Sequence, residues 1–246
     1  MTSPWTVHGP ATAPPIVFLH GAIVISLWDP QLERLRDRYR CVVVDLPGHG
    51  RLASQRFTID GAVETVRAAI DEAAGGRAVV VGLSLGGYVG MAVAARYPDR
   101  VRGLVVAGAS LEPRGLGALG ILAYGGFLRL MPARLVREVA VGLFRRGYGR
   151  RQAAALAVGY DSRAGGSAIL RLPGERFGDR LRAYGGPVLV LNGDRDVIFT
   201  KGEGRLAGGL PNVASQRLAG AAHLSSVDRP DEFSAAVATF EASLPA

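Results

Sequence analysis

The chain has 246 residues, 48% hydrophobic and 20% charged, with 34 glycines, 14 prolines and a single cysteine. This composition excludes a disordered chain, and the length fits one α/β domain with room for an inserted subdomain. The lone Cys41 excludes an internal disulfide and a cysteine-based zinc cluster. The net charge of +8 is uneven: residues 112–182 hold thirteen arginines against five acids, so the remainder sums to zero.

The first stretch, MTSPWTVHGPATAPP, has no basic start and no apolar core, so a signal peptide is not expected there. Short, β-branched runs follow at Pro15–His20, Cys41–Leu46, Ala78–Leu83, Gly103–Ala109 and Pro187–Asn192, with a more polar one at Val213–Leu218. Runs apolar on both faces read as central strands of a parallel sheet covered by helices. Helices are predicted at Asp29–Arg38, Ile59–Ala74, Leu85–Tyr97 and Pro230–Ser243. The alternation implies an α/β fold, a doubly wound, mostly parallel sheet.

The alternation breaks at 112–182, where apolar stretches at 115–130, 133–146, 150–160 and 166–182 read as helices. This segment is predicted to be an inserted helical cap, with 1–111 and 183–246 forming the core. The run at 115–131 is too short and glycine-rich to span a bilayer. It reads as a cap helix lining an apolar pocket, or alternatively as a membrane-surface helix. Tyr124, Phe127, Leu128 and Leu143 are candidate pocket residues. The basic excess is not interleaved with aromatics on a binding motif, so no nucleic acid is expected. An acidic substrate or acidic partner protein fits better, and Arg129 and Arg134, set in apolar sequence, are candidate contacts. A soluble, cytoplasmic protein with no membrane span is the expectation.

The strongest chemical signal is Gly82-Leu83-Ser84-Leu85-Gly86, between a predicted strand and a predicted helix. In this G-x-S-x-G pattern the serine occupies a strained turn, and small residues two positions either side let strand and helix pass closely. Ser84 then stands at the carboxyl end of the sheet beside a helix N-terminus that favours developing negative charge. Of His8, His20, His49 and His223, only His223 follows the serine; His20 and His49 read as loop braces and His8 as exposed. A serine nucleophile needs such a base and an acid to orient it. Past the PVLVLN run, Asp194 and Asp196 both qualify. A turn beginning at Gly193 would carry Asp196 towards the histidine loop and leave Asp194 as a turn residue. Oxyanion donors are expected from the Leu85 N–H and, in the loop His20-Gly21-Ala22-Ile23, the Ala22 N–H.

These residues carry a resemblance. HGA at 20–22, Trp28, DLPGHG at 45–50, GLSLGG at 82–87, AARYPDRVRGLVV at 94–106, GDRD at 193–196 and AAHLSSVDRPDEF at 221–233 resemble the α/β-hydrolase superfamily, in its single-domain, cap-bearing branch of esterases, lactonases, carbon–carbon hydrolases and cofactor-free haloperoxidases. The resemblance implies a triad of Ser84, Asp196 and His223, with Ala22 and Leu85 as oxyanion donors, and it favours Asp196 over Asp194. A serine nucleophile sets the chain apart from the dehalogenases and epoxide hydrolases of this fold, which use aspartate. Three departures from the family pattern stand out: Ile23-Val24-Ile25, where many relatives have Gly or Ser, makes the mouth of the site apolar; Arg51 follows PGHG, where a serine or neighbouring polar pair is common; and the leader is too short for the family's full N-terminal hairpin, so the sheet is expected to lose an edge strand.

The expected activity is hydrolysis of an ester, lactone or thioester of a small to medium apolar acyl compound, with Ile23 among the pocket residues and neither cofactor nor metal required. An acyl-carrier protein could dock through the basic cap. The alternatives are triad-dependent carbon–carbon cleavage or a lyase or cyclase reaction on an acidic substrate, and a non-catalytic binding protein on the same scaffold.

Overall fold

The run AVVVGL at 78–83 is buried along its whole length, as is VLVLNG at 188–193, so both must be covered on two faces. The structure, a computed structural model, describes residues 3–208 and 210–245. In chain order come β1 (Trp5–His8), β2 (Pro15–Leu19), α1 (Asp29–Leu35), β3 (Arg40–Val44), α2 (Ile59–Ala73), β4 (Ala78–Leu83), α3 (Leu85–Arg96) and β5 (Val101–Ala107). Helices α4 (Leu116–Leu130), α5 (Ala133–Val158), α6 (Ser162–Ile169) and α7 (Phe177–Tyr184) follow. The sheet resumes with β6 (Val188–Gly193), then α8 (Val197–Thr200), α9 (Glu203–Ala207), β7 (Val213–Leu218), α10 (Ser225–Asp228) and α11 (Pro230–Ser243).

The strands form one seven-stranded sheet in the order β1-β3-β2-β4-β5-β6-β7. All neighbours are parallel except β1, which pairs antiparallel with β3. Among the described residues before β2, β1 is the one strand, and it forms the edge of the sheet. One apolar layer packs α2 and α3 on the sheet, and a second packs α1 and α11 on its other face. Thr58 starts α2 by accepting the Gly61 N–H at 3.0 Å, and the buried face of that helix follows the 3.6-residue period.

Between β5 and β6 only helices occur among the described residues, the inserted cap. Two predicted cap helices, 133–146 and 150–160, are one helix, α5. Its path through Gly147 and Gly149 costs about 1 kcal/mol per glycine relative to alanine. Packing offsets this: Phe144 contacts the rings of Tyr148 and Tyr160, and the Ser26 hydroxyl donates to the Ala155 carbonyl at 2.7 Å. The predicted helix at 166–182 is two helices, because Pro173 and Gly174 interrupt it. The first begins earlier than expected, where Asp161 accepts the Arg163 and Ala164 N–H groups at 3.0 and 2.9 Å. No single described helix is long and apolar enough to cross a membrane.

Strand order reverses at β2, whose successor β3 lies on one side and β4 on the other. In open α/β sheets the crevice at such a switch point, beyond the carboxyl ends of the strands, is where ligands bind. Helix α3 approaches β2 so closely there that a Cβ on Gly86 would collide with the Leu19 carbonyl. Gly86→Ala is expected to cost on the order of 2 kcal/mol and lower the melting temperature by roughly 4–8 °C, read by thermal denaturation. An unchanged melting point would contradict this packing.

Candidate active site

At the end of β4 the chain turns sharply. Ser84 has φ 56° and ψ −117°, and among the described residues it is the one non-glycine with positive φ. An L-residue held there is strained by about 1–3 kcal/mol, so the surroundings must enforce the turn. They do: the Ser84 N–H donates to the Ala107 carbonyl at 2.7 Å, and the Ser84 carbonyl accepts from the Gly87 N–H at 2.9 Å. A Cβ on Gly82 would meet the Gly86 carbonyl, so glycine at 82 lets α3 fold back over its own strand. The Leu85 N–H, at the first helical position, has no intrahelical acceptor.

Across the switch point lies the loop after β2. His20 is fully buried; its Nδ1–H donates to the Gly21 carbonyl at 2.7 Å and its Nε2 accepts the Leu46 N–H at 3.0 Å. Burial, followed by the neighbouring His49, pushes its pKa down to about 3. His49 is also buried, with Nε2 2.8 Å from the Ala22 carbonyl and Nδ1 3.1 Å from the Pro47 carbonyl. Both histidines thus brace loops, as expected. The Ala22 carbonyl is held by His49, and its N–H has no hydrogen-bond partner among the described residues. Arg51, the departure after PGHG, pairs with Asp45 at 2.9 Å. His8 sits on β1, part-buried, 3.1 Å from the Thr6 hydroxyl.

The cap clasps this loop. The Asp161 N–H donates to the Ile23 carbonyl at 2.8 Å, Val24 bridges Tyr160, and the Ile25 N–H donates to the Gly159 carbonyl at 3.1 Å. Nothing in the sequence pattern announces this strap, because its pairing joins residues about 135 apart and each side is only three residues long.

His223 and Asp196 meet beyond β7 and β6. Nδ1 lies 2.8 Å from the Asp196 carboxylate, which is 7% exposed, and the His223 side chain is 39% exposed. With Nδ1–H donating to Asp196, Nε2 of the neutral ring is an acceptor. Asp194 instead accepts the Gly220 N–H at 2.8 Å, the turn role expected of it. A Cβ on Gly108, one residue past the Ala107 carbonyl that holds Ser84, would come within 2.8 Å of the imidazole. The histidine therefore rests beside the elbow, although no hydrogen bond joins it to the Ser84 hydroxyl in this structure.

Two supports escape sequence reading. Phe199 stacks on His223 with ring centroids 4.9 Å apart. Asn192, 1% exposed, accepts the Gly108 N–H at 2.7 Å and donates to Ser110 and Glu203 at 3.1 and 2.8 Å, while Glu203 holds Arg217 at 2.9 Å. A buried polar network is stabilising only when each member is satisfied, and this one fixes the strand end beneath the imidazole.

Of the candidate pocket residues, Ile23 is part-buried beside α6, where a Cβ on Gly165 would come within 2.9 Å of its Cγ1. Leu128 is buried against Gly166 of α6, and Tyr124, Phe127, Arg129 and Leu143 are exposed. Arg134 is exposed too. No group of three or more potential metal ligands occurs among the described residues.

A model of the alpha/beta hydrolase family matches residues 16–236. The chain belongs to that family. Over 94 residues the chain is 40% identical to a pimeloyl-(acyl-carrier protein) methyl ester esterase of Nitrosomonas europaea, a match spanning 38% of this chain and 36% of that protein. The chain thus spans well under half the length of that esterase relative. It is 28% identical over 254 residues to haloalkane dehalogenase 2 of Mycobacterium tuberculosis, covering 92% of this chain and 87% of that one. The enol-lactonase of Burkholderia xenovorans superposes with a TM-score of 0.82 at 22% identity, over 97% of this chain and 96% of its own. At that identity the likeness is one of fold.

The buried, neutral His20 gives a pH prediction. Above about pH 6.5 the imidazole is neutral in both folded and unfolded chains. As pH falls from about 6.5 towards 3, the unfolded chain binds a proton that the folded site refuses, so stability declines. Melting curves over that range are expected to show the decline, and His20→Asn, less stable at neutral pH, to show a shallower one. Equal slopes would contradict a neutral buried His20.

Proposed function

We propose that the chain is a serine hydrolase of the carboxylic-ester type, acting on an ester, lactone or thioester, with Ser84, His223 and Asp196 as its triad. The observation that carries this reading is the 2.8 Å contact of His223 Nδ1 with the buried Asp196, beside a serine held at positive φ. His223 Nε2 takes the Ser84 proton as Oγ attacks the carbonyl carbon. The negative charge that develops on the substrate oxygen is received by the Ala22 and Leu85 N–H groups, which have no other hydrogen-bond partner among the described residues. His223 then protonates the leaving group and activates water for deacylation, while Asp196 holds the ring in the Nδ1–H tautomer.

Several features support ester-type chemistry. The nucleophile position carries serine where the dehalogenases of the fold carry aspartate. The partial match to an ester-cleaving relative that acts on an acyl-carrier-protein substrate supports an acyl compound, and the thirteen arginines of 112–182 would suit an acidic carrier protein as partner. The apolar Ile23 beside the Ala22 donor would favour an apolar acyl chain, and the exposed Tyr124, Phe127 and Leu143 of the cap are further candidates for contact with it.

On a panel of nitrophenyl esters, Ser84→Ala is expected to abolish turnover with little change in melting temperature. Asp196→Asn is expected to lower kcat by on the order of 10⁴, because the wrong tautomer is then favoured. Turnover retained by Ser84→Ala would overturn the mechanism.

A further inference from the structure

One roomy cleft of this chain is not lined by Ser84. It has a volume of about 990 Å³ and lies between the segment leaving β5, the start of α7 and the α8–α9 turn. Five cationic side chains, Arg114, Arg176, Arg182, Lys201 and Arg205, line it against two acids. Both acids are already engaged. Glu112 accepts the Gly178 N–H at the start of α7, and Asp179 is shared by Arg182 at 2.6 Å and Arg176 at 3.6 Å. Arg114, Lys201 and Arg205 are exposed and have no acidic partner among the described residues. Three uncompensated cations converging on one concavity cost electrostatic energy in the empty protein and lower it when an anion enters.

The cleft is built onto the catalytic end of the sheet. Ser110, on its wall, lies two residues past Gly108, the residue against the His223 ring. Its hydroxyl donates to the Phe199 carbonyl at 2.5 Å, and Phe199 stacks on His223. Lys201 and Gly202 follow Phe199 directly after Thr200, and a Cβ on Gly202 would collide with the Ser110 carbonyl. Two walls of the cleft are therefore fastened to the residue that backs the imidazole.

We propose that this cleft is an anion subsite that binds a phosphate-bearing part of the substrate remote from the reacting acyl group. Phosphate fits better than a carboxylate, because a dianion matches several guanidinium and ammonium groups at once and three such groups are unspent. The volume is at the upper end for small-ligand sites and holds far more than a bare phosphate, so the charged group arrives on a larger leaving group. The inference rests on the serine-hydrolase reading and adds its substrate class. It also moves the anion contact away from Arg129 and Arg134, neither of which lines the cleft.

The test compares one acyl group presented as its coenzyme A thioester and as its uncharged N-acetylcysteamine thioester. The expected kcat/KM ratio favours the phosphorylated substrate by about tenfold or more, declining as salt screens the cleft, with inorganic pyrophosphate competing. Combining Arg114→Glu with Lys201→Glu is expected to reduce that ratio at least about fivefold. Arg77→Glu, a single charge reversal just before β4 at a residue that does not line the cleft, is expected to keep it. A ratio near one in the unmodified protein, or a ratio that the cleft variants leave unmoved, overturns the subsite. If neither thioester nor a neutral nitrophenyl ester is cleaved, the serine-hydrolase reading fails instead. Calorimetry with pyrophosphate then decides the cleft: binding lost in the double variant upholds an anion site, and no binding overturns it.

Discussion

Everything at the carboxyl end of the sheet depends on one strained residue. Ser84 is held at φ 56°, and only close approach of three backbones makes that conformation tenable. Gly82 lets α3 fold back over β4, Gly86 lets it touch the Leu19 carbonyl, and the Ala107 carbonyl takes the Ser84 N–H. A side chain at either glycine would force these apart. The contact that strains the serine also brings the β2 loop, whose Ala22 N–H has no partner among the described residues, to the same crevice. Strain and site geometry are consequences of one packing constraint.

The second dependence runs through β5 and β6. Asn192 ties Gly108 to Ser110 and Glu203, so the surface on which His223 rests is set by a buried polar network and not by the loop that carries the histidine. That loop, 219–224, has little regular structure of its own. Asp196, the Phe199 ring and Gly108 bound the imidazole on three sides. The cap contributes from above by clasping residues 23–25 through 159–161. Cap and oxyanion loop are therefore mechanically joined, and a shift of α5 or α6 would be felt at Ala22.

Much of this was legible in the sequence because it rests on local chemistry. Runs such as AVVVGL read as buried strands, and β4, β7 and α11 fall at their expected limits. The elbow is readable from two glycines at fixed spacing, and a turn from Gly193 carries Asp196, not Asp194, towards the histidine. What escaped depends on partners distant in the chain. Helix α5 continues through glycines that a local reading takes as a break, since aromatic packing and the Ser26 hydroxyl offset their cost. Phe199 gave no signal, being one apolar residue in a short segment, and neither did Asn192, whose three bonds reach other elements. The cationic cleft was visible only as an excess of arginine. Its third wall comes from Lys201 and Arg205, outside residues 112–182, which carry that excess.

The measurement that tests the account most directly is intact-mass spectrometry after treatment with a fluorophosphonate probe. A serine activated by His223 and Asp196 predicts a single adduct on the unmodified protein and none on Ser84→Ala. No adduct on the unmodified protein, or one that persists in Ser84→Ala, would contradict the assignment of Ser84 as the activated nucleophile.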